Sequence, residues 1–203
     1  MGSLSKSLCL VSIIGSVAVV GGCGKKESET KSVLEQSAGT WVQACHATAD
    51  GSSYIKQDVV ISGDSLSLNQ TYATDSTCET LLLEQKFVFA MTLGAAVSQP
   101  SGSTELTAKV TSLKITSHDD AVTSVYNNGG VCTSDGSTWT TGVERDLSSC
   151  DGVGNINQYT IISVDDTKSP AELWLGDCDQ EGRDCSVPEK RPTQNQGTRF
   201  LKQ

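Results

Sequence analysis

The chain has 203 residues, a formal net charge of −9, an aromatic content of 5% and two histidines. This length predicts one domain plus accessory segments. The negative charge argues against nucleic-acid binding, which needs a clustered basic surface, and two histidines leave few options for metal or acid–base chemistry. We therefore expect no nucleic-acid partner, no cofactor, no metal site and no enzyme activity.

The N-terminus has the pattern of an exported chain. A short segment carrying Lys6 precedes the apolar residues 8–20, a stretch too short to span a bilayer, which takes about 20 apolar residues. Small residues then stand directly before a cysteine in Val20-Gly21-Gly22-Cys23. This order resembles the lipobox of bacterial lipoproteins, although an ordinary secretory signal with Cys23 as a free or disulfide-bonded thiol is the alternative.

The lipobox resemblance implies a signal peptide over residues 1–22, cleavage after Gly22 and a lipid anchor on Cys23. Fatty acyl chains, palmitate among them, would be attached to its sulfur and its new amino group and would hold the protein in a membrane. Gly24 follows, where Asp would act as an inner-membrane retention signal. The expected location is therefore the outer membrane of the bacterial cell envelope, with the protein facing the periplasm or exposed at the surface.

Residues 23–38 are polar and predict a lipidated, flexible tether. Thr30 or Ser32 could cap one short helical turn over Val33-Leu34-Glu35 near its end. From residue 39 onward the pattern changes to short strands with frequent turn residues. The predicted strands are residues 41–45, 53–62, 65–72, 78–93, 104–116, 158–164, 172–176 and 198–201.

Two of these strands carry finer information. In residues 78–93 the odd positions are apolar from Leu81 to Leu93, which indicates a sheet with one wet face. In residues 104–116 the apolar phase slips from even to odd, and one extra residue near Ser112, a β-bulge, would restore it. We also predict a hairpin turn at Asn127-Asn128-Gly129-Gly130, because these residues accept positive φ.

The order of the segments predicts an all-β fold, with residues 39–203 as one domain. Eight or nine antiparallel segments in meander order are typical of an up-and-down barrel or a sandwich. The long central strands favour a barrel of about eight strands, because closure removes exposed edges.

Six cysteines remain after Cys9 and Cys23 are set aside, and in an exported chain they predict disulfides. Six cysteines allow 15 connectivities. A meander brings Cys45 and Cys78 to the same barrel end, while Cys132 and Cys150 bracket a long excursion, and Cys178 and Cys185 bracket a short acidic loop. We predict these three pairs; a zinc site is the rival, but the chain contains no Cys-x-x-Cys.

Gly39-Thr40-Trp41 resembles the Gly-x-Trp motif of lipocalins and their calycin relatives. In that family the Trp packs across the closed barrel end, often under an Arg from near the last strand. Arg199 is the candidate for this Arg in the present sequence. The region from residue 39 to 203 is also similar to small cysteine-containing lipocalin-like lipoproteins of bacteria. The matching pieces are Cys45, the Tyr72…Cys78 spacing, Val131-Cys132 with Trp139 and Cys150, Trp174-Leu175-Gly176 and Arg191-Pro192-Thr193. The resemblance implies a lipocalin-like barrel closed by Trp41 and Arg199.

The apolar face of the two long strands is the candidate ligand site. Small barrels either fill their interior with side chains or hold one small ligand. An apolar stripe fits both cases, so the packed core is the alternative to a pocket. The candidate lining residues are Phe87, Phe89, Met91, Leu106 and Val110.

Three other groups of residues could suggest a functional site, but we expect them to have structural roles or to contact a partner. Asp177, Asp179, Glu181 and Asp184 lack the spacing of a calcium loop and read as a solvated acidic loop. His118-Asp119-Asp120 reads as a turn between strands. Trp139, inside the Cys132–Cys150 excursion, either contacts a partner or packs onto the barrel mouth.

These features together predict a non-catalytic binding module for a small apolar ligand, anchored to the membrane through Cys23. The alternative is a protein-interaction module, such as a hydrolase inhibitor or an adhesin, that acts through the loops at the barrel mouth. A continuous apolar cavity of roughly 300 Å³ or more would favour the first hypothesis. A filled barrel with ordered, protruding loops would favour the second.

Overall fold

The computed structural model describes residues 32–133 and 136–203. Within these ranges the chain forms a closed antiparallel barrel of eight strands, which confirms the predicted fold class. The strands are β1 (Gly39–Ala47), β2 (Tyr54–Ser62), β3 (Ser65–Ala73), β4 (Leu81–Ala96), β5 (Thr104–Ser117), β6 (Glu144–Asp146), β7 (Asn157–Asp165), β8 (Glu172–Leu175) and β9 (Phe200–Lys202). The helices are α1 (Val33–Ser37) and α2 (Asp120–Asn128), with short 3-10 turns at Val153–Asn155 and Pro188–Lys190.

The barrel has the connectivity of a meander. Strands β1 to β5 pair in sequence order, β5 pairs with β7, and β7, β8 and β9 continue the ring. The last strand returns to the first, with Trp41 opposite Lys202. Strand β6 lies outside this ring and pairs with the far end of β5, from Lys114 to Thr116.

The predicted β-bulge in the fifth strand is confirmed. Val88 pairs with Ser112 and Phe89 pairs with Val110, so Thr111 is the extra residue. Its hydroxyl donates a hydrogen bond of 3.0 Å to the Val88 carbonyl. The bulge keeps the apolar side chains on both sides of it directed into the barrel core, although their parity in the sequence changes.

The predicted hairpin at residues 127–130 is wrong. Residues 120–128 form helix α2, whose first N–H groups bond to the carboxylate of Asp119. Asn127 and Asn128 lie in its last turn, and Gly129 is its C-cap. The Asn-Gly sequence ends a helix here because the same small polar and glycine residues occur at helix C-termini and in hairpin turns.

Helix α1 and Trp41 lie at the barrel end where β1 begins, which we call the closed end. Ser32 caps α1 through a reciprocal capping box with Glu35, as the sequence allowed. The Trp41 side chain is fully buried and donates its indole N–H to the Ser37 carbonyl at 2.7 Å. Helix α1 thus lies within the stretch predicted as a tether.

The cation over Trp41 is Lys202 and not Arg199. The Lys202 ammonium lies 5.0 Å from the centre of the Trp41 ring. Arg199 precedes β9 and instead pairs with Glu172, at 3.0 Å between Nε and Oε1. The strand register explains the difference, because Lys202 is the residue of β9 directly opposite Trp41.

Three disulfides join the cysteines in the predicted pairs. Cys45 is bonded to Cys78, Cys132 to Cys150, and Cys178 to Cys185, with Cα–Cα distances of 5.9, 5.7 and 5.3 Å. Cys45 and Cys78 lie at the end where β1 finishes and β4 begins, which we call the mouth. These disulfides stabilise the fold mainly because they reduce the conformational entropy of the unfolded chain.

The loop before β4 is further ordered by one carboxylate. Asp75 accepts hydrogen bonds from the Thr77 hydroxyl and from the backbone N–H of Thr77 and Thr80. These bonds, led by the one from the Thr77 side chain, hold the pKa of Asp75 well below its usual range.

Across residues 32–133 and 136–203, no helix is long and apolar enough to cross a membrane.

Candidate ligand-binding site

Four glutamines form a row across the inside of the barrel near the mouth. Gln43 of β1 lies opposite Gln57 of β2, Gln57 lies opposite Gln70 of β3, and Gln70 lies opposite Gln85 of β4. Each occupies the same face of its strand as buried apolar residues, since side chains alternate along a strand. We call Gln43, Gln57, Gln70 and Gln85 the amide belt. It separates a packed apolar interior toward the closed end from the mouth.

A cavity of about 180 Å³ lies inside the barrel next to the belt. This is smaller than the roughly 300 Å³ expected of a pocket for a small molecule. Its lining is mostly apolar, with amide groups on one side. Phe87 and Phe89 stack with their ring centroids 5.6 Å apart and contribute aromatic surface. The lining residues are Gln57, Leu68, Gln70, Phe87, Phe89, Gln158, Thr160, Leu175, Gly176, Cys178, Gln196 and Phe200.

The mouth itself contains a wider depression of about 550 Å³. It shares Gln57, Gln70 and Gln196 with the inner cavity, so the two spaces adjoin at the amide belt. Its other lining residues are Gln43, His46, Ala47, Thr48, Ala49, Ile55, Tyr72, Asp177, Asp179, Gly197 and Thr198. The two spaces therefore lie next to each other, with the same glutamine side chains between them.

The amide groups of the belt are not equally engaged by the protein. Gln43 is buried and donates to the Thr198 carbonyl at 3.0 Å, and Gln85 hydrogen-bonds with the Tyr126 phenol. In the part of the chain that the structure describes, the side chains of Gln57 and Gln70 have no hydrogen-bond partner. They present free donors and acceptors to the cavity.

Thr160 adds an unsatisfied hydroxyl to the inner cavity. Its side chain is 94% buried, with a relative exposure of 6%, and its Oγ1 makes no hydrogen bond with any described residue. A buried polar group without a partner costs about 1–3 kcal/mol. A ligand or a water molecule that bonds to Thr160 would recover this free energy.

Two tyrosines stand beside the belt as neutral hydrogen-bonding groups. Burial raises the pKa of the Tyr72 phenol. Burial also raises the pKa of the Tyr126 phenol, proximity to Tyr72 adds to the rise, and the hydrogen bond with Gln85 opposes it. Both phenols therefore stay protonated at neutral pH. The formally charged side chains on the rim are the acidic Asp177 and Asp179.

A fixed loop forms one wall of the site. Arg191 donates from Nη1 to the carbonyls of Leu106 and Thr160, at 2.8 and 2.6 Å. This places the next residue, Pro192, against Gly176 in the cavity wall. A Cβ at position 176 would collide with Pro192 and would lie 2.6 Å from Thr160 Oγ1, so only glycine allows this approach.

The structure divides the five predicted ligand residues into two groups. Phe87 and Phe89 line the inner cavity. Met91, Leu106 and Val110 lie in the packed core with exposures of 5%, 1% and 2%, outside the lining of the cavity. The apolar stripe therefore serves as core over most of its length and as cavity wall at its mouth end.

The remaining candidates have structural positions. Asp119 caps α2 with its carboxylate. Trp139 is buried, packs 4.7 Å from the Tyr126 ring and donates to the Val131 carbonyl, so it does not present an exposed ring. Across residues 32–133 and 136–203, no group of three His, Cys, Asp or Glu residues is placed to hold a metal ion. Cys23 lies outside the described residues.

The amide belt was not identified from the sequence, although a signal for it exists. Gln57 shares the parity of Ile55 and Val59, whose inward facing is clear in the structure. Gln70 likewise shares the parity of Leu66 and Leu68. Polar residues at core-facing positions of consecutive strands indicate a polar layer inside a barrel.

No protein-family model matches the chain, and no curated protein matches it significantly. The residues and geometry of the chain itself therefore carry the functional assignment.

Proposed function

We propose that the protein is a lipid-anchored binding protein of the bacterial outer membrane, related to the lipocalins. In this proposal Cys23 carries the acyl chains, and the barrel holds a small molecule, its apolar part inside, without catalysing a reaction. The inner cavity at the amide belt carries the proposal, because it is mostly apolar and lies next to the mouth depression, with which it shares three lining residues. Ligand sites of this kind are concave, mostly apolar and supplied with a few polar groups.

The lipobox supports the anchor, and mass spectrometry tests it. The full chain, expressed in a bacterial host, should yield a mature protein that begins at Cys23 and carries the mass of fatty acyl chains. Cys23→Ser should leave the signal peptide attached and remove the acyl mass. A mature wild-type protein without acyl chains would contradict the anchor.

The binding role is tested with a variant that fills the cavity. Leu68 lines the inner cavity, and a larger side chain there would occupy it. Its matched control is Val60, which is 42% exposed on the outer face of the neighbouring strand. We would purify full-length wild-type, Leu68→Trp and Val60→Trp proteins from the envelope and measure them by native mass spectrometry.

The expected result is a small bound molecule on the wild type and on Val60→Trp that is absent from Leu68→Trp. Retention of the same molecule by folded Leu68→Trp would place it outside the cavity. A wild type free of any bound molecule would argue against the carrier role.

The protein-interaction alternative is favoured by one observation. Three exposed valines lie in the segment that contains α2 and the loop after it, namely Val125, Val131 and Val143, with exposures of 66%, 37% and 55%. Exposed apolar side chains that lie near one another in the sequence are suited to contact with a protein. Replacing Val125 and Val143 with Ser should leave small-molecule binding intact and should abolish partner capture if this alternative holds.

A further inference from the structure

We infer that the molecule held at the mouth has an uncharged, hydrogen-bonding polar group, which the amide belt binds while an apolar end enters the inner cavity. This inference rests on the proposed binding function and names the chemical class of its ligand. Hydroxyl-rich or amide-bearing amphiphiles belong to this class. Fatty acids and other anionic amphiphiles do not.

The belt supplies the groups that such a ligand needs. Each glutamine amide carries two N–H donors and one carbonyl acceptor. Those of Gln57 and Gln70 face the junction of the two spaces and have no hydrogen-bond partner in the described chain. A ligand group that both donates and accepts hydrogen bonds, such as a hydroxyl or an amide, matches this pair.

The buried hydroxyl of Thr160 is the second, independent observation. It lines the same cavity, is 94% buried and has no partner among the described residues. Because buried polar groups in proteins are normally hydrogen-bonded, a polar ligand atom in the cavity would supply the partner that this hydroxyl lacks. An uncharged ligand group can satisfy it without bringing a charge out of water.

The charges around the site argue against an anion. Neither space is lined by Lys or Arg within residues 32–133 and 136–203, whereas Asp177 and Asp179 lie on the rim. A carboxylate or sulfate at the belt would lose its hydration without gaining a cation, and the rim would repel it. A cation would gain from the rim but would find no carboxylate at the belt.

Three amphiphiles with the same tail and different heads test the inference. These are hexyl β-glucoside, hexyltrimethylammonium and hexyl sulfate, whose heads are neutral, cationic and anionic. We would reconstitute the full-length protein in phospholipid nanodiscs and measure each affinity by isothermal titration calorimetry, with empty nanodiscs as the blank. The expected order is glucoside tightest and sulfate at least about tenfold weaker.

The outcomes separate this inference from the function on which it rests. If the sulfate binds as tightly as the glucoside, the inference fails and the binding function stands. If none of the three binds, the proposed binding function fails as well. Tightest binding by the cation would also overturn the inference, since the rim and not the belt would then select the ligand.

Nearly isosteric variants assign the recognition to the belt. Gln57→Met and Gln70→Met remove the amides and keep the length of the side chains. Each should weaken glucoside binding about three- to tenfold, the value of one neutral hydrogen bond, and leave sulfate binding unchanged. The control is Thr71→Val, which lies on the outer face of β3 beside Gln70. Equal glucoside affinity in wild type and both Met variants would refute the role of the belt.

Discussion

Gly176 gives the sharpest test of how the wall of the site is built. Its backbone passes under Pro192, and a Cβ at this position would lie 2.6 Å from Thr160 Oγ1 and 2.8 Å from Ile161 Cγ1, besides colliding with Pro192. All three neighbours are buried. We therefore expect Gly176→Ala to force a movement of the loop or of the strand.

The cost follows from the immobility of these neighbours. Ile161 belongs to β7, and Pro192 is held in place by the hydrogen bonds of Arg191 to two backbone carbonyls. Overpacking of this kind costs about 1–3 kcal/mol of folding free energy. For a chain of this size each kcal/mol lowers Tm by about 2–4 °C, so the melting temperature should fall by about 2–12 °C.

The measurement is thermal and urea unfolding of the disulfide-intact protein, followed by circular dichroism. Gly197→Ala is the matched control. Gly197 lies in the connection between β8 and β9, as Pro192 does, and a Cβ at position 197 meets nothing within 4 Å. The control should be neutral or stabilise by up to about 1 kcal/mol through the unfolded state. Equal stability of Gly176→Ala and wild type would refute the close packing of Pro192 on the barrel.

Three further predictions concern single hydrogen-bonding groups. Trp41→Phe should destabilise the protein by about 1–2 kcal/mol in urea unfolding, because it leaves the buried Ser37 carbonyl without its donor. Gln43→Met should cost about 1 kcal/mol in the same assay, since its amide bonds to the backbone, whereas Gln57→Met should cost nothing; equal losses would contradict the difference between them. The pKa of Asp75 is lower in the folded protein than in the unfolded chain. The ionised Asp75 carboxylate therefore stabilises the fold above about pH 4, and this stabilisation is lost as the pH falls toward the pKa of Asp75 in the folded state. Urea unfolding between pH 6 and 2 should therefore show a smaller acid loss for Asp75→Asn than for wild type.

The strands could be predicted because their sequence pattern is set by burial on one face. The slip of parity near Ser112 was sufficient to place the bulge, which lies at Thr111. Helix α2 could not be distinguished from a strand and turn by its sequence pattern. Its nine residues carry three β-branched side chains and end in Asn-Asn, followed by Gly129, so its composition is as compatible with a strand and a turn as with a helix.

The site was harder to predict than the fold, since it depends on pairing between strands. No single strand reveals that Gln57 and Gln70 lie opposite each other; the register of β2 and β3 brings them together. The same holds for the cation over Trp41. The family resemblance pointed to Arg199, and only the register of β9 against β1 shows that Lys202 is the residue opposite Trp41.

The disulfide connectivity has a consequence for the order in which the molecule is assembled. The six bonded cysteines form three pairs of consecutive cysteines, at separations of 33, 18 and 7 residues. A chain that emerges with its N-terminus first therefore presents its cysteines in the order in which they bond. Among these six, oxidation in order of appearance yields the native set, and no bond between them has to be exchanged. The ring of strands, in contrast, closes only when Lys202 has appeared opposite Trp41, so covalent assembly can be complete before the barrel is sealed.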